Sequence, residues 1–252
     1  MSPKWRDLVS LSPLEIITDL ILWLPWFIFA WYSVLRELWI FAAIGWFFFF
    51  LTGLRLSHEA FHRNLSLPVF LCDCILLFLS PLMLSCLHAT RYTHLQHHRH
   101  CLGEGDIEGR TAKFSAIETI YKGFQYPILS HRFAWNSNHL HTLFWMKLEI
   151  ISIICFYGIG FYFFPKLFLF HFFAMLLAEC FASFFAVWMV HHDCLDNKNP
   201  SRSIRGFWRS KLTYNMFYHY EHHGWPRVPT RHLPELARRL DLIRKETLPR
   251  AF

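Results

Sequence analysis

The chain has 252 residues, enough for one sizeable domain, of which 54% are apolar and only 17% charged, with 28 Phe and 11 Trp. A soluble domain carries about 25% charged residues, so this composition excludes an ordinary soluble protein and points to a bilayer. The net charge of +7 gathers in 89–140 and 198–250, a pattern that reads as the basic face of a membrane protein and not as a nucleic-acid surface.

The N-terminus, MSPKWRDLVSLSPLEIITDL, stays polar too long for a secretory signal and shows no small-residue cleavage site, so the first apolar run reads as a retained anchor. That run, about 14–32, opens on Ser12, Pro13 and Glu15, a capping Ser with Pro at the first helical position and an S-x-x-E box. Pro25 is placed to kink it. Further spans are expected at about 38–54, 150–164 and 167–190, the last containing His171 and Glu179. Each approaches the ~20 residues that hydrocarbon requires.

Segment 65–87 is long enough to cross but carries Pro68, Asp73 and Pro81. Histidines flank it, His58 and His62 before and His94 after. If these serve one site, a single crossing would part them by ~30 Å. The segment is therefore expected to re-enter or lie at the interface, with Pro81 near the bend and its backbone satisfied by protein. The same parity puts 89–145 and 191–252 on one face, the cytosolic side of an inner or cytoplasmic membrane. Arg36 and Lys166 remain as the main basic residues of the outer loops. The expected fold is all-α, an integral membrane bundle of about four transmembrane helices with a cytosolic, histidine-rich helical cap, forming one domain over 1–252. The seven cysteines include no CxxC, so neither a disulfide framework nor a structural zinc motif is expected.

The histidines carry the chemistry. They include four groups: His58-x-x-x-His62, His94-x-x-His97-His98, the pair His191-His192, and His219-x-x-His222-His223. On a helix, positions i, i+3 and i+4 share a face, so each box projects two imidazoles together with a third beside them. One zinc takes three or four ligands; eight or nine imidazoles suffice for two metals. Imidazole ligation alone suits iron, copper, zinc or nickel. The isolated His88, His100, His131, His139, His141, His171 and His232 read as ordinary interfacial or structural histidines.

The order HxxxH, HxxHH, HxxHH between apolar spans resembles the membrane fatty acid desaturase and hydroxylase superfamily, which includes carotenoid ketolases. The similarity covers about 55–240. It is carried further by His97-His98-Arg99-His100 with Asp106 and Glu108 downstream, and by Tyr218 through Pro229 with Leu233-Pro234. The resemblance implies two non-haem irons, O2 as co-substrate, an external electron donor of ferredoxin type, and a lipid-like substrate. It implies His58, His62, His94, His97, His98, His219, His222 and His223 as iron ligands. His192 fits a ninth position at the end of the last span, with His191 as fallback. Several desaturases have an Asn four residues before that histidine; here Trp188 stands there. Glu59, Asp106, Glu108, Asp193 and Glu221 are candidate acceptors for ligand imidazoles, and Glu179 is an intramembrane carboxylate of functional interest.

The expected activity is desaturation or hydroxylation of C–H bonds in a fatty acyl lipid. A carotenoid ketolase or hydroxylase is the alternative within the superfamily. From other classes come a membrane zinc metallopeptidase using His58-Glu59-His62 as HExxH, a bis-histidine haem protein and a metal transporter. The peptidase would leave six or seven clustered histidines unexplained, haem has no use for adjacent His-His pairs, and a transporter would distribute its histidines across both faces or along a pathway.

Overall fold

The computed structural model describes residues 3–194 and 200–247, which form helices and no strand. Helix α1 (Pro13–Ile21) starts under Ser12 with the capping box in place: Ser12 Oγ accepts from the Glu15 N–H, and the Glu15 carboxylate accepts from the Ser12 N–H at 2.8 Å. The helix breaks at residues 22–23 and resumes as α2 (Leu24–Leu35). Pro25 has no N–H to give the carbonyl of Ile21, and its ring crowds that carbonyl. The polar linker then leads to α3 (Trp39–His62), α4 (Val69–Met83) and α5 (Leu87–His100). Next come the short α6 (Ala116–Tyr121) and α7 (Gln125–Trp135), followed by the long α8 (Leu140–Phe163) and α9 (Pro165–Ser183). The last of these continues through a π-helical turn, Phe184–Trp188, into α10 (Met189–His191). Helices α11 (Phe207–Leu212), α12 (His219–Gly224) and α13 (Leu233–Thr247) complete the chain.

Among the described residues, four helical stretches are long and apolar enough to cross a membrane: Pro13–Leu35, Trp39–His62, Leu140–Phe163 and Pro165–His191. Their outer faces carry large exposed apolar side chains such as Ile28, Ile40, Ile154 and Phe173, which water would not tolerate together but lipid does. The third begins ten residues before the expected start at 150, and Glu149, just ahead of that start, is buried inside the bundle. The core joins α2, α3 and α4 around Phe49, Leu76 and Met83, with Met175 and Ala182 of α9 against it. Close approach of α2 and α3 depends on Gly45, where a Cβ would lie 2.8 Å from the Ala30 Cα. Small residues permit such contact between membrane helices.

The chain bends by 111° between helices α4 and α5. Pro81 sits in the last turn of α4, and Leu84 takes a left-handed conformation (φ 54°) at its end. A polar brace holds the bend. Ser80 Oγ donates to Glu149 at 2.8 Å and accepts from the Leu87 N–H, while Glu149 accepts from the His88 N–H at 3.2 Å. The His88 ring lies between Glu149 (2.7 Å) and Asp73 (3.1 Å). A carboxylate at the opening turn of α5 complements the helix dipole. Glu149→Ala strips a buried imidazole and a helix end of their acceptor. It is expected to cost about 3–5 kcal/mol, read as a lower unfolding midpoint in detergent, with Glu149→Gln milder.

The cap is tied to the spans through Asp19, fully buried on α1, which accepts from Arg55 of α3 at 3.0 and 3.2 Å and from Arg231 beside α13. His232 adds contacts to the Leu8 carbonyl and Glu15. The polypeptide after the third histidine box is thereby fixed against the N-terminal span.

Candidate metal centre

His58 and His62 occupy the last turns of α3, His94, His97 and His98 the end of α5, and His219, His222 and His223 most of α12. These three helix ends and the end of α10 converge. The Nε2 atoms of His58 and His222 are 3.0 Å apart, those of His62 and His94 2.9 Å, and those of His98 and His222 2.8 Å. On the other side His191 Nε2 lies 3.1 Å from His97 Nε2 and 2.8 Å from His219 Nε2, and His219 is 3.0 Å from His223. Two compact donor sets result: His58, His62, His94 and His222, and His97, Cys101, His191 and His223. Within each set the donor atoms lie within 4.8 Å of one another. His98 sits at the junction, 3.2 Å from His94 by Nε2 and with its ring stacked 4.3 Å from that of His223.

His191, and not His192, enters the cluster. The π-helical turn at Phe184–Trp188 accommodates about one extra residue, so His191 takes the angular position that residue 190 would hold on an uninterrupted α-helix. His192 is carried out of the cluster; its ring stacks on Trp188 at 4.5 Å and its Nδ1 donates to the Ala112 carbonyl. Trp188 in turn donates to the Phe114 carbonyl.

Partners fix several tautomers. His191 Nδ1 donates to the Pro200 carbonyl, His94 Nδ1 to Glu108 at 2.9 Å and His97 Nδ1 to Asp106 at 2.7 Å. In a neutral ring this leaves Nε2 as a bare lone pair. Bare Nε2 atoms then face one another across the cluster, which is favourable only with positive charge between them. A proton can serve one such contact, whereas two sets of four donors suit two metal cations. Burial, reinforced by neighbouring histidines, holds His219, His222 and His223 well below the ordinary imidazole range. They present neutral rings, the form a metal requires. Burial pushes Asp106 upward, but His97 and the N–H groups of Gly109 and Leu102 bring its carboxyl down to about 2. It is therefore an ionised acceptor. The residues present fit a pair of imidazole-bound ions.

Three of the five acidic candidates lie elsewhere. Glu59 accepts from the Thr230 N–H at 2.7 Å, Glu221 is bound by Ser203 and Arg205, and Asp193 is solvent-exposed and pairs with His192. No described contact joins any of them to an imidazole of the two sets. With Glu59 turned toward Thr230 and His58 and His62 in a larger cluster, the HExxH peptidase reading lacks its general base. Cys101, absent from the expected donors, lies in the second set. Its signal was the i+4 spacing from His97. His88, His131, His139 and His171 have structural partners outside the cluster, namely Glu149 and Asp73, the Cys86 N–H, Thr142, and Trp31 with the Leu82 carbonyl.

A cavity of about 920 Å³ runs between α3 and α9 to this cluster. Its walls include Trp39, Trp46, Phe50, Ala178 and Phe181, and it ends at His58, His94, His219 and His222, with Tyr126, Glu108 and Glu179 also lining it. Lining residues extend from Trp39 to Phe61 along α3, roughly 33 Å of helix at 1.5 Å per residue.

Comparison with curated proteins and with solved structures gives no match. A family model described as fatty acid desaturase matches residues 37–250. The chain therefore belongs to the fatty acid desaturase family, the membrane non-haem di-iron oxidoreductases whose histidine boxes are the converging helices described above.

Proposed function

We propose that this chain oxidises an unactivated C–H bond of a fatty acyl lipid, by desaturation or hydroxylation, at a di-iron centre held by His58, His62, His94, His97, His98, His191, His219, His222 and His223. The observation that carries the reading is the long apolar slot ending on His58, His94 and His222 of the first set and on His219 beside them. Bound iron supplies the activation of O2. The protein supplies position and exclusion of water. Asp106 and Glu108 hold the His97 and His94 rings with Nε2 toward the metals. The Phe and Trp walls align an extended chain so that one segment of it meets the cluster, a gain in orientation that shapes rate and regiochemistry together.

The chain leaves the cluster at His62 and is back at it by His94, which supports reading α4 and α5 as a re-entrant pair, with the metal centre and the basic cap on the cytosolic face of the membrane. Electrons then come from an acidic ferredoxin-type donor docking on that face, where Arg99, Arg110, Lys113, Arg209 and Lys211 are exposed. A carotenoid-type chain is the second reading. Glu179 favours it, because a carboxyl on the slot wall offers a hydrogen bond to an oxygenated ring.

Lipid and pigment profiling of a host expressing the chain, against the same host expressing His98→Ala, tests this. A change in acyl double bonds or acyl oxygenation with the parent chain alone supports the proposal. A change confined to pigments selects the second reading, and identical profiles reject both. Ala178→Trp, which fills the slot away from the metals, is expected to lower turnover by roughly 10-fold or more with metal content unchanged.

A further inference from the structure

We infer that Cys101 supplies a thiolate to the metal ion held by His97, His191 and His223, so that the two ions sit in chemically different shells. The inference rests on the di-iron reading above and adds a ligand to it. Cys101 Sγ lies 3.9 Å from His97 Nε2 and shares with His191 and His223 a donor set in which no two atoms exceed 4.8 Å. Metal–nitrogen and metal–sulfur bonds of roughly 2.1 and 2.3 Å place two donors of one ion no more than roughly 4.4 Å apart. The 3.9 Å separation fits one ion between them without moving the backbone.

The turn that carries Cys101 is built together with that metal set. Cys101 ends α5 with φ −22° and ψ 112°, and Leu102 follows in the left-handed region at φ 61°. Asp106 accepts from the Leu102 N–H at 2.8 Å and from the Gly109 N–H at 2.8 Å, and it also accepts from His97 Nδ1. One carboxylate thus sets both the His97 ring and the turn that presents the thiol. The alternative role for Cys101 is apolar filling, which Cys72, Cys86 and Cys194 perform in buried positions. Cys101 is only half-buried and close to three imidazoles from three other segments or turns. On binding it would give its proton to solvent and bring one negative charge to this ion alone. The His58, His62, His94 and His222 set contains no sulfur.

The test uses the full chain in detergent, loaded with cobalt(II), a spectroscopic stand-in for iron. The parent chain is expected to bind two cobalt ions and to show a sulfur-to-cobalt charge-transfer band in the near ultraviolet. Cys101→Ser is expected to keep two ions and lose the band. Two bound ions without the band in the parent chain, or a band that persists in Cys101→Ser, overturns the inference while leaving the di-metal reading intact. Failure of the parent chain to bind two ions removes that reading and the inference together, and the metal count tells the two failures apart. As a check that needs no substitution, metal is expected to slow alkylation of Cys101 about 10-fold, read by mass spectrometry, with exposed Cys155 as the unprotected control. Equal rates with and without metal also overturn it.

Discussion

His222→Ala is expected to abolish product formation and to lower the metal content below two ions per chain. His222 Nε2 touches both His58 at 3.0 Å and His98 at 2.8 Å, so its loss opens the first donor set and its junction with the second. Substitution of a group that only supports a ligand costs about 10–100-fold in affinity or activity; removal of a ligand exceeds that. His222 is buried at the cap, so helix content by circular dichroism is measured alongside, and the prediction is for intact helices with a defective centre. Parent-like turnover with one imidazole missing would place the chemistry elsewhere.

Asp106→Asn is expected to be the most severe of the carboxylate substitutions, with a loss of about 10–100-fold in metal affinity or in turnover. Asn can still accept from the Leu102 or Gly109 N–H, so the turn persists, but it cannot supply an ionised acceptor to His97 Nδ1. The ring is then free to present its N–H toward the metal. The measurement is metal retention against a graded chelator together with turnover. Glu221→Gln, which touches no imidazole of the two donor sets, is the comparison: it is expected to lower stability, through the loss of its pair with Arg205, more than metal retention.

Much of this arrangement is legible in the chain. Ser12, Pro13 and Glu15 mark the first span by local rules that act within one helical turn. The three histidine boxes announce their convergence because i, i+3 and i+4 spacing leaves each no other shared use. What escapes is set by packing at a distance. Glu149 carries no signal in the sequence, yet three groups of the α4–α5 bend consume it. His192 matches the expected ligand by its place at the end of the last span, but after the π-helical turn, held where Trp188 meets Phe114, it is His191 that faces the cluster. The acidic residues beside histidines misled for a geometric reason: Glu59 follows His58 and Glu221 precedes His222, and adjacent residues on a helix point about 100° apart. The carboxylates that do reach the imidazoles, Asp106 and Glu108, come from a loop that folds back. Cys101 lies one turn beyond His97, a spacing that puts the two on one helix face, and the turn at Leu102 holds it there.

Iron analysis of the purified chain, combined with X-ray absorption at the iron edge, tests the account most directly. Two irons per chain in a nitrogen-rich shell, both lost when the cluster histidines are replaced, is the predicted result. A single tightly held zinc, or iron bound with the histidines removed, would contradict it.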